Sequence, residues 1–172
     1  SLNITSNYIN LLEKINTRNL NCNLSIKPSH IGSDINYSTV FDNFKSILKT
    51  ASQFNNFIRI DMESSKLTDT TIKLYNDLQP ISSNIGIVFQ AYLHRTEKDI
   101  SNLNKHSNIR LCKGIYKESS DIAYQDYEEI NENYLKLLEL AFKKEIYVGI
   151  ATHDKQLIHS SMNLINKMGI DN

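Results

Sequence analysis

Charged and polar side chains recur at the ends of five short apolar segments of the sequence. The strongest chemical signal is a pair of cations, because Arg110 and Lys113 bracket only two residues and together could hold an anion or an electron-rich ring. The other segment ends carry a lysine, two carboxylates, an amide and a histidine, namely Lys27, Asp61, Glu63, Gln90 and His153. Such a set at the carboxyl edge of a parallel sheet is typical of an enzyme active site.

Alternation along the second segment puts three charged side chains on one face. Arg59, Asp61 and Glu63 share that face, and the aliphatic residues between them share the other. An ion on an inner face is costly unless it is paired or solvated. Two interpretations stay open from the residues alone. The three side chains could form part of a functional site, or Arg59 could pair with the carboxylates in a network that has only a structural role.

Single residues at the other segment ends also have ordinary structural explanations. Lys27 precedes Pro28 and could be a surface lysine, while Gln90 could hydrogen-bond either a backbone group or the edge of a heterocycle. Thr152 and His153 could suit a metal together with the carboxylate that follows them. No second histidine lies at ligand spacing, so we expect no metal site.

Five predicted strands alternate with helical patterns. The strands cover residues 23–28, 57–63, 85–92, 109–114 and 147–152, which are rich in β-branched side chains. Apolar residues spaced by about 3.6 positions predict helices at residues 4–16, 38–53, 68–78, 96–105, 123–144 and 155–168. A polar entry at residues 65–69 predicts a helix start, and Gly169 predicts a helix end.

Strand-then-helix repetition predicts an α/β fold with a parallel sheet. No G-x-G-x-x-G sequence follows any strand, which removes the usual dinucleotide-binding fingerprint. A complete (β/α)8 barrel takes about 250 residues and eight units, whereas this chain has 172 residues and five visible units. The polar strand ends nevertheless favour a partial TIM-type barrel that forms a single domain over residues 1–172.

Composition excludes several other classes of protein. The chain has 19 basic and 19 acidic side chains without basic blocks, which gives no support for nucleic-acid binding. No segment approaches the roughly 20 apolar residues of a membrane-spanning helix, and the first residues lack signal-peptide features. We therefore expect a cytoplasmic protein. Cys22 and Cys112 lie far apart and are expected to be free thiols.

Five short motifs, one at each strand end, resemble flavin-dependent proline dehydrogenase in order and spacing. They are SIKP at residues 25–28, IRIDME at 58–63, QAY at 90–92, IRLCKGIYKE at 109–118 and ATHD at 151–154. The segment R-L-x-K-G-x-Y is the most specific, and the resemblance covers nearly the whole chain. It implies FAD-dependent oxidation of L-proline to Δ1-pyrroline-5-carboxylate. Electrons would pass to a quinone or another acceptor, and peripheral association with the inner face of the membrane stays open.

The resemblance also implies a role for each strand-end residue. Arg110 would lie near the redox-active nitrogen of the flavin, where a guanidinium stabilises negative charge as hydride arrives. Lys27 would face the proline carboxylate, Asp61 its amine end and Tyr116 its ring, and the residue that accepts the amine proton stays open. Arg110, Lys27 and Asp61 are the expected catalytic residues. The expected flavin contacts are Gln90, Arg110, Lys113, Gly114, Thr152 and His153.

Departures from the family pattern limit what we expect of this chain. Cys112 stands where the family usually has Val, and Ile115 stands where it usually has Ala. The family's first barrel strand, last two strands and final helix have no counterpart, and that helix supplies an arginine pair that clamps the substrate carboxylate. We therefore expect the chain to be a fragment that comprises roughly the second to sixth units of the barrel. Because a bidentate arginine clamp contributes strongly to substrate binding, we expect this fragment alone to have little dehydrogenase activity.

The predicted sheet also has consequences for assembly. Residues 23–28 and 147–152 would form unpaired edges, so we expect self-association. Two other functions stay open. One is a Schiff-base aldolase that uses Lys27 or Lys113 with Asp61 or Glu63 as its acid–base partner, and the other is a non-catalytic barrel subdomain.

Overall fold

The computed structural model describes residues 2–170, which form six α-helices and five short strands. The helices are α1 (Leu2–Thr17), α2 (Tyr37–Gln53), α3 (Thr68–Leu78), α4 (Thr96–Ser101), α5 (Tyr127–Lys143) and α6 (Lys155–Met168). The strands are β1 (Leu24–Ile26), β2 (Ile58–Ile60), β3 (Ile85–Gln90), β4 (Asn108–Cys112) and β5 (Tyr147–Ala151). Among these residues, none of the helices has the length and apolar composition needed to cross a bilayer.

The strands follow one another in the sheet in the same order as in the chain, β1-β2-β3-β4-β5. The registers are parallel where β1 meets β2, where β2 meets β3 and where β4 meets β5. A doubly wound sheet would reverse its strand order at a switch point, and no reversal occurs among the described strands. This sequential order confirms the predicted α/β fold of a partial TIM-type barrel.

The chain divides into two compact units, with the boundary along the chain inside β3, between Ile87 and Val88. In the first unit, α1 packs on α2 and the inner faces of β1 and β2 are fully buried at Ile26, Ile58 and Ile60. In the second unit, α5 packs on α4, α6, β4 and β5. Buried and less buried positions alternate in β1, β2 and β4, whereas every residue of β3 is buried.

The predicted strands and helices are confirmed in number and order. The strands are mostly shorter than predicted, most clearly β2 with three residues instead of seven, and two helix boundaries are wrong. The fourth helix stops at Ser101 rather than residue 105, because the next residues form turns and the N–H of Asn102 bonds back to Lys98 and Asp99. The fifth begins at Tyr127 rather than residue 123. Asp126 caps it there by accepting from two backbone N–H groups at its start, which fixes the first turn.

The ends of the last helix illustrate why its bounds were readable from sequence. Asp154 accepts hydrogen bonds from the N–H groups of Gln156 and Leu157, which fixes the start. Gly169 adopts a left-handed conformation with φ of 63° and donates to Asn166, which confirms the predicted stop. Both ends are specified by residue types that strongly prefer those positions.

Candidate active site

Two predicted site residues, Lys27 and Asp61, leave neighbouring strands of the first unit at the same end. The N–H of Asp61 donates to the carbonyl oxygen of Ile26 at 2.9 Å, which extends the β1–β2 pairing by one residue. Both side chains are half-buried. Tyr8 of α1 lies close enough to both side chains to feel their charges. Burial and the charge of Asp61 raise the pKa of the Tyr8 phenol, and the charge of Lys27 acts to lower it. The Tyr8 hydroxyl also lies 3.4 Å from His30 Nδ1.

The other two charged residues of the second strand segment have structural partners. Glu63 is buried, and its carboxylate accepts from the Ser29 N–H at 2.9 Å and from the Ser29 hydroxyl at 2.6 Å. These two bonds fix the short 3-10 turn that begins directly after Lys27. The guanidinium of Arg59 lies 4.8 Å from the centre of the Phe57 ring. Glu63 therefore supports a turn of the first unit, and the Arg59 guanidinium packs on an aromatic ring.

Gln90 ends β3 in the second unit and carries an unusual polar atom. The residue is 2% exposed, and its Oε1 is buried without a hydrogen-bond partner. The following backbone is fixed to the end of β4, because the N–H groups of Ala91 and Tyr92 donate at 2.8 Å to Cys112 and Lys113. A buried amide oxygen without a partner is costly, which is typical of a position that serves a ligand.

Arg110 occupies the less buried face of β4. The strand alternates, with Ile109 and Leu111 fully buried while Arg110 and Cys112 are half-buried. Its neighbour across the β4–β5 ladder is Gly149, and a Cβ at that glycine would lie 3.8 Å from the Arg110 Cγ. The guanidinium therefore emerges on the opposite face from the helices, as the alternation of the sequence predicts.

Lys113 is paired with a carboxylate that follows the next strand. Its ammonium lies 2.6 Å from Oδ2 of Asp154 and 4.1 Å from the centre of the Tyr127 ring. The same carboxylate accepts hydrogen bonds from the Tyr127 hydroxyl and, at 3.5 Å, from the Asn131 amide. The Lys113 ammonium is the largest cause that holds the pKa of Asp154 well below its ordinary value. Lys113 is thus an ordered cation within the second unit.

Gly114 follows Lys113 in a backbone conformation that requires glycine. Its φ is 121°, and a Cβ built on it would lie 2.2 Å from Cδ1 of Tyr92. The Tyr92 ring therefore fills the space of the missing side chain. Burial is the main cause that raises the pKa of Tyr92 to about 12, with a smaller contribution from the charge of Glu118. Tyr116, two residues further on, is half-buried.

Thr152 and His153 lie directly after β5. The Thr152 hydroxyl accepts a hydrogen bond from the N–H of Asp154 at 3.1 Å, which shapes the entry into α6. His153 is exposed. Within residues 2–170, no group of three histidine, cysteine or acidic side chains is arranged to hold a metal ion.

The structure brings the predicted flavin-side residues onto adjoining strand ends of the second unit, and Lys27 and Asp61 onto adjoining ends of the first. Sequence reasoning considered Asp154 only as a possible metal ligand beside Thr152 and His153, and it gave no role to Tyr134. Both residues hold these ends in place. The available signal for Asp154 was its position just before a helical pattern, where aspartate is a preferred cap. Its pairing with Lys113 joins residues 41 positions apart and left no signal in a single sequence.

Polar side chains at the carboxyl ends of sequential parallel strands define this chain as a barrel-type α/β protein. A sequence model of the family "Proline dehydrogenase" matches residues 2–172. Proline dehydrogenase 2 of Bacillus subtilis (strain 168) is 34% identical over 169 residues, covering 98% of this chain and 56% of the relative. Proline dehydrogenase of Deinococcus radiodurans is 30% identical over 94% of this chain and 54% of the relative. The chain therefore belongs to the proline dehydrogenase family.

Solved structures agree on the fold. Proline utilization A (PutA) from Bdellovibrio bacteriovorus, inactivated by N-propargylglycine, superposes with a TM-score of 0.87 at 17% identity, covering 99% of this chain and 23% of that one. PutA from Corynebacterium freiburgense gives a TM-score of 0.82 at 23% identity, covering 98% of this chain and 21% of that one. The chain spans about half the length of the curated relatives that it matches.

Proposed function

We propose that residues 1–172 form a single domain that is a fragment of a catalytic barrel, and that the parent enzyme carries out the FAD-dependent oxidation of L-proline to Δ1-pyrroline-5-carboxylate. The observation that carries the proposal is the pairing of two features in the second unit. Gln90 offers a buried amide oxygen without a partner, and Arg110 offers a half-buried cation on the neighbouring strand. Membership of the family gives these two features their interpretation.

The residues of the second unit fit a flavin chemically. The isoalloxazine ring has one N–H donor on its edge, and the orphaned Oε1 of Gln90 is an acceptor in need of a donor. When bound, FAD supplies the acceptor for the hydride that leaves proline. Arg110 would stabilise the negative charge that the ring gains, and the ordered ammonium of Lys113 would add to that field. Gly114, Thr152 and His153 complete the proposed flavin contacts.

The residues proposed for the substrate complement the three chemical parts of proline. Its carboxylate calls for a cation, which Lys27 supplies, and its amine calls for an anion, which Asp61 supplies. Its apolar ring calls for a flat apolar surface, which the Tyr116 ring supplies. Glu63 supports Lys27 indirectly, because its two bonds to Ser29 fix the turn that follows the lysine.

The proposal includes partners outside the chain. Electrons from the reduced flavin would pass to a quinone or to another acceptor, and use of a quinone would bring a cytoplasmic protein to the inner membrane face peripherally. Within the described sheet, β1 and β5 are the terminal strands. Exposed strand edges favour pairing with another chain, so we also propose self-association through them.

No observation favours the aldolase alternative. A Schiff-base lysine must bring its nitrogen to a carbonyl carbon, whereas the Lys113 nitrogen is held 2.6 Å from the Asp154 carboxylate. Glu63, one of the two proposed acid–base partners, already accepts two hydrogen bonds from Ser29. Trapping with borohydride and a carbonyl substrate would test this alternative directly.

The experiment that tests the proposal is an absorbance titration of the purified, desalted chain with FAD. We expect the visible flavin bands to be retained and Arg110→Ala to weaken binding by about tenfold or more, since one charged hydrogen bond contributes about 1.5–3 kcal/mol. Arg95→Ala is the matched control, because Arg95 pairs with Asp99 within α4. Failure of the wild-type chain to retain FAD would contradict the proposal.

A further inference from the structure

Asp154 divides its carboxylate between two tasks. Oδ1 accepts from the N–H groups of Gln156 and Leu157 at 3.0 and 3.1 Å, and so caps α6. Oδ2 accepts from the Lys113 ammonium at 2.6 Å. The two side chains are only 23% and 10% exposed for Lys113 and Asp154, so solvent screens the pair less than it screens the surface pairs of this chain. One residue thus ties the end of β4 to the start of α6.

The start of α5 closes the other side of the Lys113 ammonium. The Tyr127 ring lies under it at 4.1 Å, and the Tyr127 hydroxyl donates to the same carboxylate. Asn131, one turn along α5, donates to Oδ2 at 3.5 Å. A lysine side chain ordinarily samples many rotamers, and fixing it opposes its conformational entropy. The Asp154 carboxylate and the Tyr127 ring, together with the backbone at the end of β4, restrict the Lys113 side chain to one position.

We propose that Asp154 is a positioning residue that holds the Lys113 ammonium at the carboxyl end of β4, in the proposed flavin half of the site. The inference rests on the proposed function, because it assigns Lys113 to the flavin. It adds a second-unit residue that contacts no flavin itself and acts through the lysine. The need for a helix cap does not by itself explain why Asp154 is half-buried against Lys113. Asp126 caps α5 with the same hydrogen-bond geometry and is exposed.

Asp154→Asn separates the two tasks of the residue. Asparagine is as good a helix cap as aspartate, so the Oδ1 bonds to α6 are kept, while the charge that pairs with Lys113 is lost. Asp126→Asn makes the same chemical change at the α5 cap and serves as the matched control. Asp154→Ser, which also keeps a cap and removes the pair, guards against an effect peculiar to the amide.

The first measurement is the rate of reductive methylation of Lys113 in the cofactor-free chain, followed by peptide mass spectrometry with the other lysines as internal standards. Loss of the ion pair should raise the rate about two- to fivefold in Asp154→Asn and Asp154→Ser. Asp126→Asn should leave it unchanged. An unchanged Lys113 rate in both Asp154 variants overturns the inference.

The second measurement is a double-mutant cycle on the FAD dissociation constant. Asp154→Asn and Lys113→Met should each weaken FAD binding by about two- to tenfold, and the double variant should be no weaker than Lys113→Met alone. Additive losses would mean that Asp154 acts by another route and would overturn the inference. If the wild-type chain binds no FAD, the proposed function fails, and the methylation rates alone decide whether Asp154 positions Lys113.

Discussion

The hydroxyl of Tyr134 donates a hydrogen bond to the carbonyl oxygen of Leu111 at 2.8 Å, from the middle of α5 to the end of β4. The same hydroxyl accepts from the N–H of Ala151 at 3.2 Å, so one side chain joins β4, β5 and the helix that covers them. Tyr134 is fully buried, and burial raises the pKa of its phenol far above the ordinary value. Leu111 directly follows Arg110 in β4, and Ala151 directly precedes Thr152 at the end of β5.

Replacement of Tyr134 by phenylalanine should destabilise the second unit without changing its shape. The buried Leu111 carbonyl and the part-buried Ala151 N–H would lose the Tyr134 hydroxyl, and a buried polar group left unpaired costs about 1–3 kcal/mol. Urea denaturation followed by circular dichroism measures the free energy of unfolding. Tyr147→Phe is the control, since Tyr147 is 65% exposed and should change stability by less than about 0.5 kcal/mol. Equal stabilities of the two variants would contradict the role given to Tyr134.

Gly114 should not tolerate even a methyl group. The change Gly114→Ala forces a Cβ to within 2.2 Å of the Tyr92 ring and strains a backbone with φ of 121°. Backbone strain of this kind costs about 1–3 kcal/mol, and displacement of a buried ring adds to it. Gly149→Ala is the matched control, because a Cβ there meets its nearest neighbour at 3.7 Å, an ordinary contact.

Thermal unfolding of the two alanine variants gives a direct comparison. We expect a clear loss of stability in Gly114→Ala and a small effect in Gly149→Ala. If the clash with the Tyr92 ring is the cause, Gly114→Ala should destabilise a chain that carries Tyr92→Ala by less than it destabilises the wild-type chain. Two glycine variants of equal stability would contradict the steric explanation.

The order of elements was predictable from sequence because local signals specify it. α3 and α6 begin and end at the predicted residues, and α6 has an aspartate cap and a glycine stop at its ends. A predicted boundary was wrong where apolar residues at helical spacing extended past the residue that caps the helix. Ala123 matches the apolar pattern of α5 but forms an isolated bridge with Leu93, and the helix begins only after its cap, Asp126.

The candidate site was predictable only in part. Alternation and strand ends predict that Lys27, Asp61 and Arg110 emerge at the carboxyl edge, because these rules concern residues close in sequence. Pairings between distant residues do not follow from such rules. The contact of Glu63 with Ser29 spans 34 positions, and only the folded chain decides that Glu63 supports a turn.

Acidification should remove the contribution of Asp154 to stability. The Lys113 ammonium and the Tyr127 hydroxyl hold the folded-state pKa of Asp154 below its ordinary value of 3.8. A carboxyl with a lowered folded pKa stabilises the fold above its unfolded pKa, and this contribution is lost as pH falls toward the folded value. The wild-type chain should therefore exceed Asp154→Asn in unfolding free energy at neutral pH, and the difference should shrink below about pH 4.

Urea denaturation at neutral pH and at several acidic values measures this difference. Introducing Lys113→Met in both chains should reduce the difference and flatten its pH dependence, because the lysine is the largest cause of the lowered pKa. A gap between wild type and Asp154→Asn that stays constant on acidification would contradict the assigned ion pair.

Gln90 should reveal a conflict between stability and cofactor binding. Its buried Oε1 lacks a partner, so the change Gln90→Met, which keeps the length of the side chain and removes the amide, should stabilise the cofactor-free chain by up to about 1–3 kcal/mol. The same change removes the proposed acceptor for the flavin and should weaken FAD binding by about tenfold. Urea denaturation without cofactor and FAD titration measure the two effects, with Gln156→Met at an exposed position as the control. Loss of both stability and FAD affinity would mean that the amide serves the fold rather than a ligand.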